Sequence, residues 1–288
     1  MISVPSSTQN QLIRLSQGQL NLLEDCPRKF QNTYLEQLRP PVDPKYEESQ
    51  LLGSHFHLLM QQQEMGLEIS KFLEVDDNEQ NQNSSKLKLQ NWMNTFANIA
   101  PEILTPQTDS ETFRESEHFR TLQVQNYLLT VIYDLLIANK SEVQILDWKT
   151  YRKAPSKRKL QYNWQTRLYL YVLAETSDYP PENISMTYWF VQSETKPKNI
   201  KFTYSSLQHQ QTEKKLNQHL KKLTKWLQAY QQGKEFPQVP QGSKHCNYCQ
   251  YASRCQRISG NAEEQISQDL LRTDSKLINL ANIQEVPL

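Results

Sequence analysis

Asp147 and Lys149 stand two residues apart in the run Val143-Gln144-Ile145-Leu146-Asp147-Trp148-Lys149, whose apolar character marks a strand. Strand side chains alternate with period two, so both project from one face. A carboxylate beside an ammonium is what metal-assisted phosphodiester hydrolysis requires. The carboxylate holds a hard divalent cation, and the lysine orients the attacking water or stabilises charge growing on the phosphate. Asp134 sits in the preceding strand-like run, Val131-Ile132-Tyr133-Asp134-Leu135, with apolar residues on both sides. A carboxylate buried there is costly without a partner or a metal. A hairpin between the two runs would bring Asp134 close to Asp147. An isolated Asp-x-Lys triplet is more often a surface ion pair, so its weight depends on what accompanies it.

The chain also has four cysteines, Cys26, Cys246, Cys249 and Cys255. The last three form C-x2-C-x5-C, and the first lies far upstream. Four thiolates match the ligand count of a tetrahedral Zn2+ site or of a [4Fe–4S] cluster, and spacing leaves both open. Either group would close a very long loop, contribute directly to folding and clamp the N- and C-terminal segments together.

Helical spacing runs from Leu15 to Leu38, with Ser16 and Gln19 as a capping box and Cys26-Pro27 as an interruption. Pro40, Pro41 and Pro44 break the chain before a second helix, Tyr46 to Glu64. Asp76 to Ser85 is a polar low-complexity loop, and Trp92, Phe96 and Ile99 mark a short helix that Pro101 ends. Three strands follow, Phe113 to Leu122, Tyr127 to Ile137 and Val143 to Thr150, with a turn at Asn139-Lys140-Ser141. A helix carrying Trp164, Leu168, Tyr171 and Val172 comes next, then a strand pair, Ile184 to Gln192 and Asn199 to Tyr204. Thr212 to Gln232 is a helix with Leu216, Leu220, Leu223, Leu227 and Tyr230 on one face and Gly233 at its end. Beyond Ser259 the pattern is weak, and the segment is expected to be peripheral. The fold class is α/β, with a small mixed central sheet flanked by helices.

The 288 residues include only 6 glycines, and the mean hydropathy is -0.76; the length suffices for a substantial core. No apolar run approaches the roughly 18 residues needed to span a bilayer, and residues 1–10 lack the pattern of a signal peptide. A cytoplasmic protein is expected, in which clustered thiols serve metals rather than disulfides. The net charge of +1 is uneven. From Trp148 to Lys225 there are 15 Lys and Arg against 5 Asp and Glu. Such a segment is a footprint for a polyanion, and equally the mark of a solvated face. Arg152, Lys153, Lys157, Arg158 and Lys159 follow the Asp-x-Lys strand as a basic loop placed for phosphate contacts. Tyr151 and Tyr162 are near enough in sequence to stack on unpaired bases, whereas Trp164 is expected in the core.

Taken in order, these motifs resemble the RecB-like nuclease family of the PD-(D/E)XK superfamily, from about Ser16 to Cys255. Gly53-Ser54-His55-Phe56-His57 resembles the family's G-x-x-x-H helix motif, which implies His57 as the metal-facing histidine. His55 points about 160° away on an ideal helix and is expected to be structural. Asp134 is similar to the aspartate ending the first catalytic strand, and Asp147-Trp148-Lys149-Thr150 to the family's D-x-K-T. Gln165-Thr166-Arg167-Leu168-Tyr169 resembles its Q-x-x-x-Y helix motif, whose members lie one turn apart and face the DNA or the site. Glu117 is a looser match to an upstream glutamate. Val131 departs from the pattern, standing where the family usually has glycine, which bears on backbone packing or DNA entry. Cys26-Pro27-Arg28-Lys29-Phe30 and the C-x2-C-x5-C cluster resemble the AddB-type nuclease domains and imply a [4Fe–4S] cluster rather than Zn2+.

The resemblance implies a restriction-endonuclease-like core and a Mg2+- or Mn2+-dependent deoxyribonuclease. In it His57, Asp134, Asp147 and the backbone carbonyl of Trp148 hold the metal, Lys149 positions or activates water, and Gln165 and Tyr169 shape the site. Single-stranded DNA ends are the implied substrate, in repair or recombination beside a helicase. One nuclease domain (1–288) is expected. Its parts are an N-terminal helical part with the first cluster cysteine (15–66), a helical and low-complexity insertion (67–110), a catalytic core (111–210), a C-terminal helix with the cysteine cluster (211–258) and a peripheral tail (259–288). Two other readings compete. One is a catalytically silent iron–sulfur scaffold that binds DNA or a helicase, against which the intact Asp134, Asp147 and Lys149 count. The other is a zinc-stapled RNA-processing nuclease.

Overall fold

Strand-forming residues concentrate between Phe113 and Thr203, and that stretch builds most of the sheet. The computed structural model describes residues 12–38, 44–73, 85–99, 101–104, 112–151, 153–192 and 198–257. The chain divides into two compact units, Met1–Phe236 and Pro237–Leu288. The first unit begins with β1 (Ile13–Leu15), α1 (Gln17–Asp25), α2 (Pro27–Phe30), a π-helical turn (Gln31–Leu35) and α3 (Pro44–Glu64). There follow α4 (Ser70–Leu73), α5 (Ser85–Ile99), α6 (Pro101–Leu104), β2 (Phe113–Val124), β3 (Tyr127–Ala138) and β4 (Val143–Lys149). It ends with α7 (Lys157–Tyr162), α8 (Trp164–Glu175), a 3-10 turn (Pro181–Asn183), β5 (Ile184–Phe190), β6 (Lys198–Thr203) and α9 (Ser206–Gln231).

The strands form one mixed sheet of order β1-β3-β4-β5-β6, with β2 on the other edge of β3. β2–β3 and β3–β4 are antiparallel, and β4 and β5 are parallel, joined by a crossover through α7 and α8 as parallel neighbours require. This is the α/β architecture expected from the sequence. Several local expectations are corrected. Ile13–Leu15 pairs in parallel with Tyr127–Leu129 as a strand, although Leu15 continues the leucine spacing of α1. The interruption expected at Cys26-Pro27 is present: Cys26 is extended, and Pro27 starts α2 where its missing N–H costs nothing. Lys157–Tyr162 is helical rather than loop, capped by Ser156 Oγ accepting from Lys159 N at 3.2 Å. α9 starts at Ser206 rather than Thr212, and Gly233 follows its end at φ +79°, the left-handed position that glycine favours. Residues 76–84 of the expected loop and the tail beyond Ser259 lie outside the described residues.

Two cores hold this sheet. One, beneath α1, α8 and α9, includes Leu20, Leu129, Tyr133, Ile145, Trp164, Leu168 and Leu216. The other, beneath α3 and α5, includes Phe56, Met93, Phe96, Leu146, Trp148 and Trp189. β4 is covered on both faces, Val143 and Ile145 entering the first core and Leu146 and Trp148 the second. That double burial is why its sequence is a nearly continuous apolar run.

The β2–β3 ribbon serves both cores by turning over once. Tyr127, Leu129, Val131 and Tyr133 face the first core, but beyond Asp134 it is Leu136 and Ala138 that do so, while Leu135 and Ile137 join the second. β2 turns over in step without a register shift: Glu117 drops out of the ladder between Ser116↔Leu135 and His118↔Tyr133, with the register unchanged on either side. Glu117 has φ +51°, a conformation costing an L-residue about 1–2 kcal/mol. The inversion therefore falls on Glu117 and Asp134, facing each other across the ribbon.

The second unit is built of turns in its described part. Lys244–Cys246 is a 3-10 turn. Cys249 N donates to Cys246 O (3.2 Å), Ala252 N to Cys249 O (2.9 Å) and Cys255 N to Tyr251 O (3.0 Å). Arg257 ties the end back to Gln238 Oε1 at 3.0 Å and Val239 O at 3.1 Å. None of the four cysteines is in a disulfide. Among the described residues, no helix is long and apolar enough to cross a membrane.

Candidate active site

Asp147 is 1% exposed at the end of β4. Its Oδ2 accepts from Gln165 Nε2 at 2.6 Å, and its Oδ1 pairs with the Lys149 ammonium with no hydrogen bond well aligned to it. Gln165 is held there by the start of α8: Asn163 Oδ1 accepts from Gln165 N at 2.8 Å and from Asn21 Nδ2 at 3.1 Å. Tyr169, one turn further along α8, hydrogen-bonds Gln165 and is raised in pKa by burial and then by Asp147. Burial likewise pushes the Asp147 carboxyl up to about 7, against the pull of Lys149 and with help from Asp134. For Lys149 burial opposes the charge, but Asp147 and Asp134 outweigh it and raise its pKa. Lys149 is thus held as an ammonium, its Nζ 5.4 Å from the Tyr188 ring centroid.

Beside this pair the sheet ladder opens, and Asp134 uses the gap. The last registered β3–β4 pair is Leu135↔Leu146. One step beyond, Asp134 Oδ2 accepts from Trp148 N at 2.6 Å, replacing a ladder bond. Asp134 Oδ1 lies 3.3 Å from His57 Nδ1. Glu117 joins them: ligand atoms of His57, Glu117 and Asp134 all lie within 4.8 Å of one another. Burial raises the Glu117 pKa, Asp134 raises it further and His57 eases it. His57 is disfavoured as a cation by burial, yet the Asp134 hydrogen bond and the charges of Asp134 and Asp147 raise its pKa overall. Two carboxylates crowded against a third, with one imidazole, form a donor set a divalent cation would relieve. One nitrogen and several oxygens suit Mg2+ or Mn2+ better than a thiophilic metal.

His57 reaches Asp134 because α3 closes on the end of β4. A Cβ at Gly53, one turn before His57, would lie 2.8 Å from Thr150 Oγ1, so only glycine permits this approach. Thr150 is fixed in turn by Gln192, whose Nε2 donates to its carbonyl. A cavity of about 1190 Å3 lies over these groups, with α3 and α5 on one wall and β3, β4 and α8 on the other.

The structure thus brings together His57, Asp134, Asp147, Lys149, Gln165 and Tyr169. Trp148 enters the site only through its backbone, since its ring packs edge-on to Phe96 in the second core (5.3 Å). His55 is exposed, and Val131, at 1% exposure, points into the first core and does not narrow the cavity. Tyr151 lines the cavity, whereas Tyr162 does not and lies under the Arg167 guanidinium at 5.0 Å. Trp164 is fully buried, its Nε1 donating to Glu24 Oε2 at 2.6 Å. Arg152 lies outside the described residues. Lys153, Lys157, Arg158 and Lys159 are exposed and do not line the cavity; Lys157 instead sits over the Phe202 ring at 5.5 Å. Sequence reasoning missed Gln61, Lys88, Trp92 and Gln192, which do line it. Lys88 and Trp92 carried one signal, their one-turn spacing beside the Leu89, Met93 and Phe96 stripe.

The family model for the PD-(D/E)XK nuclease superfamily matches residues 14–256. No curated protein matches the chain. Among solved structures, a candidate exonuclease from Eubacterium rectale is 10% identical, with a TM-score of 0.49 over 87% of this chain and 90% of that one. SSO0001 is 14% identical, with a TM-score of 0.39 over 88% of this chain and 90% of that one.

Proposed function

We propose, since the chain belongs to the PD-(D/E)XK nuclease superfamily, that this nuclease is a Mg2+- or Mn2+-dependent deoxyribonuclease acting on single-stranded ends. The observation that carries the reading is the convergence of His57, Glu117 and Asp134 within 4.8 Å beside the buried Asp147–Lys149 pair. The proposed ligands are His57, Asp134, Asp147 and the Trp148 carbonyl, with Glu117 added on the strength of that convergence. A cation bound there supplies Lewis-acid polarisation of the scissile phosphate. Lys149, kept protonated by two carboxylates, stabilises charge growing on a phosphoryl oxygen and orients water; it does not act as a base. Gln165 keeps Asp147 from turning away, and Tyr169 closes the wall behind it. Lys153, Lys157, Arg158 and Lys159, with Arg152, remain proposed contacts for DNA beyond the cavity. A cytoplasmic role in repair or recombination beside a helicase rests on the family resemblance alone.

For the four cysteines we propose a [4Fe–4S] cluster. Support for the cluster over Zn2+ comes from the resemblance of Cys26-Pro27 and the C-x2-C-x5-C run to the AddB-type nuclease domains, since four thiolates suit either group. The function is tested with anaerobically purified protein on end-labelled single-stranded DNA, the same sequence as duplex, and RNA. Mn2+-dependent, EDTA-sensitive cleavage that favours single-stranded DNA is expected. Preferential cleavage of RNA would overturn the substrate assignment.

A further inference from the structure

Among the described residues that line the cavity, three carboxylates, Glu117, Asp134 and Asp147, face two lysines, and of these Lys149 is committed to Asp147. The other is Lys88, on α5. A polyanionic substrate meets carboxylates on the sheet wall, so a compensating cation on the helical wall has a defined use. Among the described residues, no carboxylate pairs with Lys88.

α5 places Lys88 deliberately in register with an aromatic ring. Leu89, Met93 and Phe96 form its buried stripe. Lys88 and Trp92, four residues apart on the adjoining face, both line the cavity. Trp92 is held by an edge-on contact with Phe56, with ring centroids 6.0 Å apart and planes at 73°. Phe56 precedes His57 on α3, and Gln61, one turn after His57, also lines the cavity. The Trp92 ring is therefore fixed to the same helix that carries the proposed metal ligand. Its indole N–H and the Gln61 amide have no hydrogen-bond partner among the described residues.

We propose that Lys88, Trp92 and Gln61 form a nucleotide subsite in which Lys88 takes a backbone phosphate, Trp92 stacks on an unpaired base and Gln61 bonds the base edge or sugar. The inference rests on the nuclease reading above and gives it a physical source of strand preference. A base within a duplex keeps both faces stacked on its neighbours and cannot cover Trp92. Rigid coupling through Phe56 to His57 would also set which phosphate reaches the metal, making this wall a positioning device as well as a source of affinity.

The test is steady-state cleavage of one oligonucleotide, single-stranded and as duplex, across a range of KCl concentrations. Lys88→Ala, a half-exposed change that leaves the core intact, is expected to raise KM several-fold with kcat kept, and to lower the slope of log(kcat/KM) against log[KCl] by about 0.7. Trp92→Leu is expected to raise KM on single strands about tenfold without altering that slope, so the preference over duplex shrinks. Unchanged KM and salt slope in Lys88→Ala, or unchanged strand preference in a folded Trp92→Leu, would overturn the subsite while leaving the nuclease intact. A metal-loaded wild type that cleaves neither substrate would overturn the nuclease reading, and the subsite with it.

Discussion

Replacing Glu117 separates two properties that the residue combines. Its backbone lies at φ +51°, which costs an L-residue about 1–2 kcal/mol and glycine far less. Glycine within a strand carries its own penalty of roughly 0.5–1 kcal/mol. Its side chain is one of three donors converging within 4.8 Å. Glu117→Gln removes the carboxylate and keeps the strained backbone, whereas Glu117→Gly removes both. Without metal, the glycine variant should therefore be about 0.5–1 kcal/mol more stable than the glutamine variant, a Tm difference of about 1–4 °C. With Mn2+ at a hundred times its Kd, the wild type gains about 2.7 kcal/mol, and both variants gain less at that concentration. Thermal or urea unfolding in EDTA and in Mn2+ measures all three proteins. A glycine variant no more stable than the glutamine variant would refute the strain argument. A full metal-induced gain in either would refute Glu117 as a ligand.

Gly53→Ala should cost about 1–3 kcal/mol by forcing α3 away from Thr150 and lower kcat with it; Thr150→Ala in the same chain should restore part of both, measured by unfolding and cleavage. Asn163→Ala removes the cap that accepts from Gln165 N and should cost about 1 kcal/mol of stability together with kcat, since Gln165 loses its anchor. Gln165→Leu should leave KM little changed and reduce kcat, because Asp147 Oδ2 loses the Gln165 Nε2 hydrogen bond that orients it; a variant with normal kcat would show that Asp147 needs no such support. Cys26→Ser and Cys246→Ser should each abolish the visible absorption expected of the proposed cluster and lower the unfolding temperature; retained absorption would remove that cysteine from the ligand set.

The parts of this site that were legible in the sequence are those that follow a regular period. Asp147 and Lys149 share a face because strand side chains alternate, and double burial wrote β4 as an apolar run. Gly53 and His57 stand one helical turn apart, so their spacing survives in the sequence as a motif. Glu117 was only loosely readable because the chain inverts its faces there: the alternation that would assign it a side is interrupted at that residue. Lys88 and Trp92 reach the site through tertiary packing of α5 on α3, which no local pattern encodes. β1 is three residues long, too short to display alternation against the leucines of α1. α7 buries only Leu160, so its charged sequence has no apolar stripe and reads as a loop.

The central claim is that the Asp134, Asp147 and Lys149 constellation cuts a phosphodiester with a divalent metal. Its most direct test is cleavage of end-labelled single-stranded DNA in Mn2+ by the wild type and by Asp134→Asn, Asp147→Asn and Lys149→Ala, each shown to be folded. The account predicts cleavage by the wild type that EDTA abolishes, and a loss of at least about a hundredfold in every variant, the scale expected when a charge acting on the transition state is removed. Undiminished cleavage by any one of the three would contradict it.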